Sequence, residues 1–187
     1  MYEAHFGLQE APFALTPNTR YFLRAPSHGD ALELLVVALR QREGFIKITG
    51  EVGTGKTLLC RLLLNELEGE ASTAYIPNPH LSPEALYEAV AEELGADIQP
   101  GANTHQVLKS LNERLIALAV DQTPAVLVID EAQAMPEATI EALRLLTNLE
   151  TESTRLLQVV LFGQPELDVL LNRDSLRQLK QRITFHY

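Results

Sequence analysis

Cysteine is almost missing from this chain: Cys60 is the single one in 187 residues. That excludes a disulfide within the chain and fits a reducing compartment. Long apolar runs are missing too. The run from Leu34 to Leu39 falls far short of the ~20 residues a membrane-spanning helix needs. The start, Met1-Tyr2-Glu3-Ala4-His5, has neither a basic n-region nor an apolar h-region, so no signal peptide is expected and the cytoplasm is the default. Positive charge is scarce. Lys and Arg number 15 against 25 Asp and Glu, a formal net charge of −10. Such a balance argues against nucleic-acid binding by bulk electrostatics, while leaving room for a local basic patch. His5, His28, His80, His105 and His186 show no metal-ligand spacing. Internal repeats, low-complexity stretches and a nucleophilic triad are absent as well. What is present is ordinary globular material. Hydrophobic residues make up 46% of the chain, enough for the core of one domain.

The pattern alternates short apolar runs with longer helical stretches. Residues 1–26 carry Phe6, Phe13, Tyr21 and Phe22 among Pro12, Pro17 and Pro26, without periodicity, and are expected to form an irregular segment over the domain. Ser27 followed by Asp30 resembles a capping box ahead of the apolar run Ala31–Leu39. Strands are expected at 45–49, 72–77, 125–129, 156–162 and 183–187. Helices are expected at 56–67, 83–94, 104–119 and 136–149, with a short one from Pro165 and another at 174–180. Ser82 before Pro83 reads as an N-cap with proline at the first helical position. The expected fold class is α/β, a three-layer αβα core around a five-stranded parallel sheet. Ligands in such sheets bind beyond the C-terminal ends of the strands. Chemistry is therefore sought just after residues 49, 77, 129 and 162.

Two motifs lie there. Gly50-Glu51-Val52-Gly53-Thr54-Gly55-Lys56-Thr57 fits G-x-x-x-x-G-K-[ST], the Walker A phosphate loop. Its glycines permit positive φ and close approach of backbone to phosphate. Its amides converge on an anion, and the helix that follows adds its positive end. Lys56 supplies a point charge to the β- and γ-phosphates, and the Thr57 hydroxyl can ligate Mg²⁺. The second motif is Val126-Leu127-Val128-Ile129-Asp130-Glu131, an apolar strand ending in two acids, the Walker B pattern. Asp130 is suited to hold Mg²⁺, partly through water, and Glu131 to polarise the attacking water. The plainer reading is two acids opening a polar loop. An Asp-Glu pair points to ATP hydrolysis of the ASCE type, the branch that holds the AAA+ proteins. ATP and Mg²⁺ are the expected cofactors.

Further blocks carry a resemblance. Met1-Tyr2, Phe6-Gly7-Leu8, Pro12-Phe13 and Thr16-Pro17 open the chain. Ile129-Asp130-Glu131-Ala132-Gln133, Phe162-Gly163-Gln164-Pro165-Glu166-Leu167 and Leu176-Arg177-Gln178-Leu179-Lys180-Gln181-Arg182-Ile183 follow. Together with the phosphate loop, they resemble the AAA+ module of the ExeA/GspA secretion ATPases, and within that group the branch serving MSHA-type (type IV) pilus biogenesis. The likeness runs over the whole chain. It implies an AAA+ core over 27–187, with 1–26 lying over the nucleotide site. It also implies a helical lid with sensor 2 after residue 187, so that the chain is cut short before the lid.

The resemblance assigns further roles. Gln164 takes the place of sensor 1, against the alternative of a plain glutamine ahead of Pro165. Asn78 takes the place of a polar residue restraining the catalytic Glu, against a turn residue between Pro77 and Pro79. Arg182 takes the place of an arginine finger acting on a neighbour's nucleotide, worth roughly 10³ to 10⁵ in rate, with Arg177 as second choice. The alternative for Arg182 is a solvated basic face, since Arg173, Arg177, Lys180 and Arg182 stand against Asp174 alone in 173–187. Phe6, Pro12, Phe13 and His28 match the segment that covers the adenine base. The implied partners are further copies of the chain, in a ring or filament, and pilus or secretion assembly proteins. Membrane contact is expected only through regions outside this chain or through those partners. Two other readings remain: a DNA-linked regulator like the TnsC/TniB transposition ATPases, and a nucleotide-gated module that does not hydrolyse.

Overall fold

The structure is a computed structural model and describes residues 5–8, 26–148 and 155–187. His5 and Phe6 lie in a helical turn that ends at Gly7, whose φ is 65°. This differs from the irregular segment expected there. The expectations for residues 9–25, Pro12 and Phe13 included, fall outside the described residues.

The described elements run in this order: α1 (Pro26–Arg40), β1 (Phe45–Thr49), α2 (Lys56–Leu67), β2 (Ser72–Ile76), α3 (Pro83–Glu93), α4 (Thr104–Val120), β3 (Ala125–Ile129), α5 (Glu137–Leu146), β4 (Leu157–Gly163), α6 (Glu166–Leu171), α7 (Arg177–Lys180) and β5 (Ile183–His186). The strands form one sheet in the order β2-β3-β4-β1-β5, with every pairing parallel. β4 thus lies between β3 and β1, and the loops leaving these three strands meet at one end. The pairing of β1 with β5 shifts register between Phe45 and Ile46, and the Thr184 hydroxyl donates to the Phe45 carbonyl there at 3.1 Å.

The sheet is coated on both faces, and its strands show why. Along β3, Ala125, Leu127 and Ile129 face one layer, while Val126 and Val128 face the other. All five are buried, as a central parallel strand requires. One layer is α1 with α2, whose Leu35, Ala38, Leu59, Cys60 and Leu63 pack on Ile46, Ile48, Val160 and Phe162. The other layer, α3 to α7, covers Phe45, Ala74, Ile76, Val159 and Leu161. Gln158 is a buried polar residue on β4. It ties the sheet to the end of α1 by donating to the Leu39 and Glu43 carbonyls at 3.0 and 3.1 Å.

Local chemistry sets the boundaries. α1 begins at Pro26, so Ser27 sits inside its first turn and not ahead of it as a cap. Ser82 does cap α3, accepting from the Ala85 N–H at 3.2 Å. α4 opens on a full capping box that the sequence reading missed: Asn103 accepts the Gln106 N–H, and Gln106 accepts the Asn103 N–H. Pro136 precedes α5, and the helix stops at Leu146 with Thr147 as its C-cap. The helix expected at 174–180 divides into a 3₁₀ turn, Asp174–Leu176, and the short α7. Among the described residues, no helix is long and apolar enough to cross a membrane.

Candidate active site

The phosphate loop joins β1 to α2. Gly53 and Gly55 have φ of 81° and 83°, the left-handed region that a side chain disfavours. Gly50 is held to glycine by space, since a Cβ there would meet Thr54 Oγ1 at 2.9 Å. The loop is braced by its own side chains. Thr54 Oγ1 donates to the Glu51 carbonyl at 2.8 Å. Lys56 Nζ donates to the carbonyls of Gly50 and Glu51 at 2.7 and 2.8 Å. From α1, His28 Nε2 bonds the Thr54 carbonyl at 2.7 Å, and it lies 3.2 Å from where a Gly55 Cβ would sit.

Beside the loop is a cavity of about 380 Å³. Lys56, Gly53 and Thr54 form its polar side, and Ala31, Ile48 and Leu59 its apolar wall. That size and mixture suit a small ligand with one apolar and one charged end. His28 and Tyr187 also line it. Phe6, expected over the base, is 70% exposed and stacks edge-on with His5.

The two acids follow β3. Asp130 is 3% exposed. Burial raises its pKa, opposed by hydrogen bonds from the Thr57 hydroxyl and the Glu131 N–H and by the charge of Lys56. The Glu131 N–H reaches Asp130 Oδ1 at 2.9 Å. Thr57, Asp130 and Lys56 therefore occupy one site, although two separate loops supply them. Their donor set, a hydroxyl and a carboxylate beside a convergent phosphate loop, fits a divalent cation carried by a nucleotide.

Glu131 stands apart from Asp130 in conformation. Its φ and ψ are 51° and 38°, left-handed for a residue with a side chain. Such strain is of order 1–3 kcal/mol and is held only where the surroundings demand it. The carboxylate accepts from Gln133 Nε2 at 2.5 Å and from Gln164 Nε2 at 3.2 Å. The Gln164 N–H in turn donates to Gln133 Oε1 at 2.9 Å. Gln164 is thus beside Glu131, after β4, where the sequence placed it. Asn78 Oδ1 accepts the His80 N–H of its own turn at 3.5 Å. The residue sequence reasoning passed over is Gln133. Its signals were its place two residues after the second acid and its inclusion in the Ile129–Gln133 block.

The remaining basic candidates lie elsewhere. Arg182 precedes Ile183, which pairs with Phe45 at the N-terminal end of β1, so it sits at the opposite end of the sheet from the phosphate loop. Its guanidinium donates to Thr147 Oγ1 at 3.2 Å, beside a small cavity shared with Gly44, Phe45 and Arg155. A single copy does not bring Arg182 and Lys56 together. Arg177 is exposed. Arg173 pairs with Glu137 at 2.5 Å, which neutralises one of the four cations in 173–187.

Comparison with known proteins agrees with this architecture. Residues 39–171 match the model of a family described as the AAA domain. The chain is 43% identical over 187 residues to General secretion pathway protein A of Aeromonas hydrophila, covering all of this chain and 34% of that protein. It therefore spans about a third of that relative's length. Among solved structures, it resembles the Aeropyrum pernix ORC2 protein in ADPNP-ADP complexes, with TM-score 0.66 and 19% identity over 94% of this chain and 49% of that one. It also resembles Cdc6p from Pyrobaculum aerophilum, with TM-score 0.65 and 20% identity over 95% of this chain and 48% of that one. At such identities the likeness concerns the fold alone. By the span of the family match, this chain belongs to the AAA family.

Proposed function

We propose that this chain is the ATPase module of a protein supporting a secretion machine or an MSHA-like type IV pilus, and that it binds and hydrolyses Mg-ATP. The observation that carries the reading is the convergence of three loops at one end of the sheet. Lys56, Asp130 with Glu131, and Gln164 follow β1, β3 and β4: Gln164 donates to Glu131, the Glu131 N–H to Asp130, and the charge of Lys56 acts on Asp130. The likeness to General secretion pathway protein A supports the secretion setting.

In this reading the loop amides and Lys56 hold the phosphates, and the apolar wall of Ala31, Ile48 and Leu59 takes the adenine. Thr57 and Asp130 hold Mg²⁺, which neutralises phosphate charge when bound. Glu131 takes a proton from the attacking water. Gln164 senses the γ-phosphate from its place beside Glu131. Arg182, remote from its own loop, acts on the nucleotide of a neighbouring copy in a ring or filament. The protein works at the cytoplasmic face of the inner membrane and meets pilus or secretion assembly proteins there.

The test is Mg-ATP turnover per chain across a range of protein concentrations. A shared site gives turnover that rises steeply with concentration and collapses in Arg182→Ala, by roughly 10³-fold or more. Turnover per chain that is flat with concentration and indifferent to Arg182→Ala rejects the shared site.

A further inference from the structure

We infer that Gln133 is a positioning residue for Glu131, and that it couples the carboxylate to the end of β4. The inference rests on the reading of Glu131 as the base. Four observations support it.

The first is the orientation of the amide. The oxygen and nitrogen of a glutamine side chain are told apart by their partners. Gln133 Oε1 faces the backbone N–H of Gln164 at 2.9 Å, and a backbone N–H can only donate. The NH₂ of Gln133 must then be the end that faces Glu131 Oε2, at 2.5 Å.

The second is where the donors converge. Gln133 and Gln164 both donate to Oε2 of Glu131. Two N–H bonds to one oxygen fix the plane of the carboxylate. The proton of an attacking water then goes to Oε1.

The third is the backbone. Glu131 is held left-handed by its neighbours: its N–H is bound by Asp130 Oδ1 at 2.9 Å, and its C=O by the Ala134 N–H at 2.8 Å. The resulting 3₁₀ turn, Ala132–Ala134, folds back so that Gln133 faces the acid two residues before it. Ala132 is fully buried and anchors this turn.

The fourth is the room left for the amide. A Cβ at Gly163 would come within 3.2 Å of Gln133 Oε1. The last residue of β4 is small where the glutamine crosses to the next loop.

Gln133 therefore spans from the acid after β3 to the residue after β4. A displacement of the Gln164 backbone by nucleotide would be passed to Glu131 through the Gln133 side chain, beside the direct bond from Gln164 Nε2. This is a positioning role, because Gln133 touches the base and not the phosphate loop.

The experiment compares Gln133→Met and Gln133→Glu with the wild type and with Glu131→Gln. Methionine keeps the length and removes both polar ends. Glutamate keeps the acceptor for the Gln164 N–H and replaces the donor with a like charge. Both variants are expected to lower kcat about tenfold or more, as loss of alignment does, while the Kd for ATP and the thermal midpoint stay as in the wild type. A merely structural residue would move the midpoint and Kd together with kcat. A readout free of turnover is the side-chain amide resonance of Gln133, expected to move upfield in Glu131→Gln as the charge-assisted bond is lost. Wild-type turnover in Gln133→Met, or an amide resonance indifferent to Glu131→Gln, overturns the positioning role and leaves Glu131 as base. Wild-type turnover in Glu131→Gln overturns the functional reading, and the positioning role with it.

Discussion

The Thr57 side chain stands beside the carboxylate of Asp130, bringing the first turn of α2 to the end of β3. Lys56 is adjacent in sequence and contributes favourable charge to the same carboxylate. The site is thus assembled by the sheet order, which puts β4 between β1 and β3 and brings their outgoing loops together.

In the proposed reading Asp130 holds Mg²⁺ from a buried position. It is 3% exposed, and burial works against its charge. Asp130→Asn removes that charge and keeps an oxygen for Thr57. The thermal midpoint should hold or rise by a few degrees, the usual trade between stability and function, while Mg-dependent ATP affinity falls at least ~10-fold. Calorimetric melting with a titration of Mg-ATP checks both halves. A lower midpoint with unchanged affinity would contradict this account of Asp130.

Lys56 donates to two loop carbonyls, Gly50 and Glu51. Those bonds brace the loop and are equally at hand for phosphate oxygens. Lys56→Ala should weaken ATP binding about 10- to 100-fold, the value of one or two hydrogen bonds from a charged group. Circular dichroism should show the fold intact, because the backbone turns rest on Gly53 and Gly55. A fluorescent nucleotide titration reads the loss directly.

Gly163 ends β4 where two side chains crowd it. A Cβ would come within 2.8 Å of Leu167 Cδ2 and 3.2 Å of Gln133 Oε1. Gly163→Ala should cost about 1–3 kcal/mol in chemical denaturation, as overpacking does. It should also lower turnover, since the displaced amide is the one on Glu131. Wild-type stability and turnover in this variant would mean that the loop moves aside freely.

Cys60 gives a pH prediction. Burial pushes its thiol from 9.0 up to about 12, with the charge of Asp130 adding to the rise. The unfolded chain therefore loses this proton at lower pH than the folded one. The contribution is present below about pH 9 and is lost as pH rises toward the folded value. Tyr75, beside Cys60, moves the same way, from 10.0 to about 12, first through burial. Thermal midpoints should fall from about pH 8 to about pH 11, and the fall should flatten most in Cys60→Ala and less in Tyr75→Phe. An identical slope in all three proteins would refute this source.

Much of this was legible because the signals were local. Phe45–Thr49 and Ala125–Ile129 are short, largely apolar runs, the second buried along its whole length, and the strand bounds coincide with the expected ones. The phosphate loop was legible because its chemistry needs fixed residue types at fixed spacing. Helix starts were harder. Ser27 has the composition of a cap, yet Pro26 already provides the first helical position. Asn103 with Gln106 was overlooked because the preceding Gly and Pro residues suggested only loop. The role of Gln133 could not be read from composition. It depends on the 3₁₀ turn after Glu131 and on β4 arriving beside β3, and both are tertiary facts. Asn78 fits a family position, and its Oδ1 also accepts the His80 N–H of its own turn.

In the proposed reading Glu131 is the base of an ATPase site whose phosphate loop binds independently of it. It is tested most directly by measuring ATP affinity and steady-state turnover for the wild type and Glu131→Gln side by side. The account predicts ATP affinity within about twofold and turnover lower by roughly 10² to 10⁴, the share of a general base. Wild-type turnover in Glu131→Gln would contradict it.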